Sequence, residues 1–181
     1  MKNNYPSQHQ AIVTSFLEGK FITIDDKHFE IVKKNEKFYV HFFEQSFGFE
    51  LKSSLEFYHL ISKETNENTS RDISIFLSVL CYELDKDGRN FLEELSFSEF
   101  NLAEVLAYFK NSSWSDIINE NKQLNQDTKV ERLIYSTMVK RNIVVKVSKE
   151  RFRFTKAYKF FIEFVRDLVK SEGKKISTEE E

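Results

Sequence analysis

The segment Glu83–Glu94 has the acid spacing of a calcium loop. Counted from Glu83, it places Glu83, Asp85 and Asp87 at positions 1, 3 and 5, Gly88 at 6 and Glu94 at 12. Oxygen ligands at those offsets can wrap a calcium ion, and the glycine permits the sharp turn. Position 1 is Glu where the shorter Asp is usual. Position 8, usually aliphatic, is Asn90. No second loop of this kind follows. The competing reading is an acidic surface turn between two helices. Other chemistry has less to build on. The histidines His9, His28, His41 and His59 are scattered, and Cys81 is the only cysteine, so four zinc ligands are not in sight. Cys81 follows Leu77 by one helical turn and reads as a small core residue. It has no recognisable base to make it a nucleophile. The four glycines are isolated, which leaves no phosphate loop. These residues imply no catalytic centre, no cofactor and no metal.

A basic set near the end of the chain is more suggestive. Lys129, Arg132, Lys140 and Arg141 fall on one predicted helix, and Lys146, Lys149, Arg151 and Arg153 on a predicted hairpin. Such cations can displace counterions from DNA phosphates. There is no cluster of Asn, Gln and Arg to read bases, so contact would be to the backbone and non-specific. A solvated basic face, or a dock for an acidic partner helix, is the plainer alternative.

The elements that must position these cations lie between Asp127 and Thr155. Val130, Leu133, Ile134, Thr137 and Met138 recur at i, i+3, i+4, i+7 and i+8, which predicts a helix over Asp127–Arg141 with one apolar face. Asp127 or Thr128 can cap its start. Residues Asn142–Val147 are strand-like and Ser148–Glu150 can turn. Arg151-Phe152-Arg153-Phe154-Thr155 alternates, directing the Phe side chains inward and the Arg side chains to water.

The rest of the chain suggests the same plan twice. A helix over Gln8–Glu18, ended by Gly19, carries Ile12, Val13, Phe16 and Leu17 inward. A strand Phe21–Ile24 follows. A helix capped by Asp25 or Asp26 runs to Lys34, burying Phe29, Ile31 and Val32. Residues 36–46 fit either a strand or a helix, and Tyr39, Phe42 and Phe43 at helical spacing favour the helix. A hairpin, Phe47–Leu51 and Leu55–Ile61, closes this half. Ser62–Ser70 has no apolar residue and reads as a linker. In the second half Ile73, Phe76, Leu77, Leu80 and Leu84 mark an amphipathic helix over Arg71–Leu84. Phe91–Leu95 with Phe97 suggests a short strand, and Ser98 the cap of a helix through Lys110. Trp114 stands in a polar segment and suits either a partner anchor or a core edge. The last helix spans Lys156–Lys170, and a charged tail starts at Ser171. The expected fold is α+β and mainly helical: two tandem winged-helix domains with short β-hairpin wings, at 1–62 and 71–170, joined by a polar linker at 63–70. Residues 171–181 are expected to be disordered.

Composition bounds the remaining classes. Nineteen Phe among 181 residues provide ample core. The start lacks the apolar run of a signal peptide, and no stretch approaches the ~20 apolar residues of a membrane span. A cytoplasmic, membrane-free protein is expected. Net charge is −2 but uneven. Residues 127–175 hold fourteen Lys/Arg against six Asp/Glu, and residues 1–126 thirteen against twenty. The second half is therefore the one suited to an acidic partner.

Three stretches resemble the MukE/MksE group, the kleisin-interacting tandem winged-helix (KITE) subunits of bacterial SMC-type condensins. Gly19-Lys20-Phe21-Ile22 resembles that family's early glycine and short apolar strand. Leu55-Glu56-Phe57-Tyr58-His59-Leu60 resembles the aromatic strand closing its first wing. Leu133–Ile143, followed by Arg151-Phe152-Arg153-Phe154-Thr155-Lys156-Ala157-Tyr158-Lys159-Phe160, resembles its last helix, wing and C-terminal helix. The resemblance implies a non-enzymatic, nucleoid-associated accessory subunit. It would form a homodimer, bind a kleisin (MukF/MksF-like) and, through it, an SMC ATPase (MukB/MksB-like). DNA contact would be possible. The process would be chromosome condensation and segregation, or plasmid defence. The rival classes are a winged-helix transcription regulator and a calcium-responsive or enzymatic protein resting on Glu83–Glu94.

Overall fold

Glycine and asparagine stops divide the chain into short helices, and aromatic side chains supply what those helices bury. The computed structural model describes residues 5–61 and 67–163. The expected linker residues 62–66, the extension of the last helix past residue 163 and the charged tail lie outside the described residues. Among the described residues the fold is α+β, mainly helical, with two three-stranded antiparallel sheets.

The first half runs α1 (His9–Leu17), β1 (Ile22–Thr23), α2 (Phe29–Lys34), α3 (Glu36–Phe47), β2 (Glu50–Ser53) and β3 (Phe57–Ile61). Gly19 ends α1 from the left-handed region, φ 73°, where a side chain would be strained. Helix α1 buries Ile12 and Phe16. Leu17, expected inward, is exposed, because it lies about 100° around the helix from Phe16 and the core faces the Ile12–Phe16 row. Asp26 accepts the His28 N–H at 2.8 Å in the turn before α2, but His28 holds the cap position, so neither Asp25 nor Asp26 caps the helix as expected. Residues 36–47 are helical, and Tyr39 and Phe43 share its fully buried row. The sheet order is β1-β3-β2, with Ile22 opposite Tyr58 and Lys52 opposite His59.

The second half starts with α4 (Glu67–Lys86), whose first turn takes in the end of the polar stretch read as linker. All five residues of its expected apolar row are fully buried. Then follow α5 (Phe91–Phe97), β4 (Phe100–Asn101), α6 (Leu102–Asn111) and α7 (Ser115–Glu120). Two local expectations fail here. Residues 91–97 form a helix, not a strand, because the Asn90 side chain takes the N–H groups of Leu92 and Glu93 and so caps a helical turn. Ser98 is extended and closes α5, its N–H donating to the Glu94 carbonyl at 2.9 Å, and does not cap α6. Asn101 caps α6 instead, accepting from Ala103 at 2.8 Å, because Phe100–Asn101 must first pair with the hairpin as β4.

The chain closes with α8 (Asp127–Arg132), which continues as a π-helical stretch at Leu133–Met138, then β5 (Val144–Lys146), β6 (Arg151–Phe154) and a helix at 158–163, here α9. The expected hairpin forms, with Val144 opposite Phe154 and Val145 opposite Arg153. The second sheet has the order β4-β6-β5.

Each half has its own core, but the two are joined. Phe21 and Phe57, from the first half, are buried in the aromatic and aliphatic cluster of the second. Around Phe21 lie His59 (ring centroids 4.9 Å apart), Phe160 (5.6 Å) and Phe161 (5.8 Å). The Phe21 N–H donates to the Arg141 carbonyl and the Asn142 side chain donates to the Phe21 carbonyl, both at 2.9 Å. Lys159 pairs with Glu56 across the same seam. Burial of a phenylalanine is worth roughly 1.5–3 kcal/mol, so two of them tie the halves far more firmly than the polar contacts do. Among the described residues no helix is long and apolar enough to cross a membrane.

Candidate interaction surface

The central helix presents its cations where the sequence places them, but it does not gather them. Val130, Leu133, Ile134 and Met138 are buried, and that buried row fixes which face is left to solvent. Lys129 donates to Asn125 at 3.0 Å and Arg132 to Gln123 at 3.4 Å, so both lie back against the loop that precedes α8. Lys140, eleven residues from Lys129, is exposed at the other end and acts electrostatically on Glu18, just past the end of α1. Arg141 is half-buried. Its carbonyl holds Phe21, and desolvation pulls its guanidinium below the ordinary arginine range. Arg141 is thus built into the seam between the halves.

The hairpin carries the other four. Lys146, Lys149, Arg151 and Arg153 are all exposed. Lys146 lies over the Tyr135 ring at 4.6 Å, a cation–π contact that ties the hairpin to the π-helical stretch. Arg151 faces Glu99 at 3.6 Å. Arg153 stands opposite Val145 on the outward face of the sheet. The eight cations therefore occupy three places: the start of α8, the hairpin and the seam.

Beside Arg153 a groove of about 440 Å³ runs between the halves. Its walls are Asp25 and Asp26 from the first half and Phe97, Arg153 and Lys156 from the second, with Val145 also lining it. The composition gave no sign of this place, because its two walls are some seventy residues or more apart in sequence. Phe97 could have been noticed: it is an aromatic at the end of a short helix whose buried residue is Leu95.

The calcium-like spacing does not become a calcium loop. Residues 83–86 are the last turn of α4. Glu83 points inward, and its carboxylate accepts the Ser112 hydroxyl at 2.6 Å. Glu94 is taken by Arg89 through two bonds of 3.0 and 2.9 Å, which hold its carboxyl below the usual range. Arg89 also donates to Glu104 at 2.6 Å, and Tyr108 to Asp87 at 2.6 Å. The same acids thus form a clamp joining the end of α4 to α5 and α6. Among the described residues no group of three or more His, Cys, Asp or Glu is placed to hold a metal ion. Cys81 is half-buried against the second core, and burial pushes its thiol up to about 12. Trp114 packs against Tyr82 at the edge of that core, ring centroids 5.5 Å apart.

Comparison of the sequence with curated proteins gave no match. The family model of the condensin complex protein MksE matches residues 7–166, which takes in both halves, the seam and the groove. The chain belongs to the MksE family of condensin complex proteins.

Proposed function

We propose that this protein is a non-catalytic accessory subunit of an SMC–kleisin complex of the MukBEF/MksBEF kind. It binds the kleisin and, through it, the SMC ATPase, and it acts as a homodimer. Its two halves are tandem winged-helix domains, with β2–β3 and β5–β6 as the wings. The observation that carries this reading is the family match across residues 7–166. Two features of the molecule support it. The acids Glu83 and Glu94 are engaged in structural bonds, and large apolar side chains stand exposed near the seam, as an assembly subunit requires. The work of the complex would be chromosome condensation and segregation or plasmid defence, at the nucleoid.

Contact with DNA is a second element of the proposal. The exposed Lys149, Arg151 and Arg153 on the hairpin, with Lys146, favour the phosphate backbone over the bases. A sequence-specific regulator gains no support. The apolar row of α8 is buried, and Lys129 and Arg132 lie back on the loop before it.

The test is capture of the tagged full-length chain with kleisin and SMC ATPase from the same genome. Co-purification of all three supports the assembly. Recovery of the chain alone, with both partners present and soluble, overturns it.

A further inference from the structure

The groove beside Arg153, about 440 Å³ in volume, has the size of a small-molecule site, roughly 300–1,000 Å³. Its two walls carry opposite charges. Asp25 and Asp26 follow β1, and Arg153 and Lys156 lie on β6 and just past it. Asp26 is already engaged, accepting the His28 N–H at 2.8 Å. Asp25 and Arg153 are exposed, and among the described residues neither they nor Lys156 has an ion-pair partner. Phe21 and Phe57 join the halves, so these charges are free to serve a ligand.

The groove also holds an aromatic surface. Phe97 lines it and is 83 % exposed, because Leu95 is the residue that α5 buries. The Lys156 ammonium lies 5.5 Å from the centroid of its ring. A whole aromatic ring is poorly solvated by water, and a planar ligand laid against it removes that cost.

Charge and shape together select the ligand. A wholly anionic molecule would meet Asp25, and a wholly cationic one would meet Arg153 and Lys156. The walls suit a molecule with an anionic end, a flat middle and N–H donors at the other end. Phosphates make charge-assisted bonds to arginine and lysine. An ionised carboxylate only accepts, so two adjacent donors satisfy it best. Guanine presents such a pair, its N1–H beside its N2 amino group. Adenine and cytosine place an acceptor beside their amino group, and a carboxylate repels it.

We propose that this groove binds a guanine nucleotide. The base stacks on Phe97 and donates its N1–H and N2 amino group to Asp25, and Arg153 and Lys156 hold the phosphates. This site goes beyond the assembly reading and does not depend on it.

The experiment is calorimetric titration of the full-length chain with GDP, ADP and inorganic diphosphate. Wild type should bind GDP about tenfold or more tightly than either of the others. Substitutions of exposed side chains, each leaving the melting temperature unchanged, separate the contacts. Asp25→Asn should weaken GDP binding about tenfold or more and leave diphosphate binding unchanged. Phe97→Ala should weaken GDP and ADP alike, again about tenfold, without affecting diphosphate. Arg153→Ala should weaken all three. Absence of GDP binding at millimolar concentration overturns the proposal. Equal affinity for the three probes overturns it too, since only a phosphate contact of the hairpin would remain. A preference for GDP that survives both Asp25→Asn and Phe97→Ala would put the nucleotide elsewhere and overturn the groove.

Discussion

Asn142 donates its side-chain amide to the carbonyl of Phe21 at 2.9 Å, across 121 residues of sequence. Asn142 itself sits at φ 58°, in the left-handed region just after the central helix. The residue that stops the helix thus also fastens the first half to the second, because the left-handed turn points a short amide at a backbone acceptor.

This dual role predicts an order of stabilities. Asn142→Gly keeps the backbone conformation accessible and loses the amide bond, a cost of about 0.5–1.5 kcal/mol. Asn142→Ala loses the bond and adds the left-handed strain, roughly 1 kcal/mol more. Urea unfolding of the two variants checks the order, and an alanine variant as stable as the glycine one would contradict it. Phe21→Ala should cost more than either, about 3–5 kcal/mol, because it empties a buried site in the shared core.

His59 makes the seam sensitive to acid. Burial first, and then the nearby Lys52, lower its pKa to about 4, while Glu50 opposes them. Among the described residues neither ring nitrogen has a hydrogen-bond partner. The neutral ring is therefore the folded form, and the unfolded chain takes up the proton first, near the ordinary value of 6.5. Stability from this group is complete above pH 6.5 and is lost as pH falls toward 4. The loss amounts to about 3 kcal/mol. Carboxylates titrate in the lower part of this window, so the comparison is with His59→Phe, measured at pH 7 and pH 4.5. The variant should lose distinctly less stability than wild type, and equal losses would show that His59 is not the source.

Arg89 holds α4, α5 and α6 together through Glu94, Glu104 and Tyr108. Arg89→Ala leaves two carboxylates facing each other without their cation and should destabilise by about 1–2 kcal/mol. The same engagement predicts that millimolar calcium leaves the melting temperature of wild type unchanged. A rise with calcium would restore Glu83–Glu94 as a ligand set.

Replacement of Lys149, Arg151 and Arg153 by Ala should weaken DNA binding to the same degree on unrelated sequences. It should also reduce the salt dependence, by a slope of about 0.9 for each phosphate contact removed. Titration of labelled duplexes at several salt concentrations measures both. An unchanged slope would assign these cations to protein contacts alone.

The sequence by itself determined the elements whose signal is periodic and local. The apolar row of α4, the buried row of α8 and the alternation of Arg151–Phe154 all appear where spacing puts them, because one-sided burial enforces a single period. The helical reading of residues 36–46 followed from the spacing of Tyr39, Phe42 and Phe43 for the same reason, and the helix takes in Phe47, which the hairpin reading had claimed. Shorter elements were less legible. Phe91–Phe97 is too short for its apolar content to separate strand from helix, and Asn90 decided it through two hydrogen bonds. The basic residues were visible, but not that Arg141 is spent on the seam or that Lys129 and Arg132 lie back on a loop. Only the tertiary structure brought Phe97, Arg153 and Lys156 opposite Asp25. That arrangement depends on how the two halves dock, and the docking is set by Phe21 and Phe57 entering the core of the second half. Periodicity reports which face of an element is buried. It carries no information on which distant element covers that face, because any apolar surface of suitable shape satisfies it.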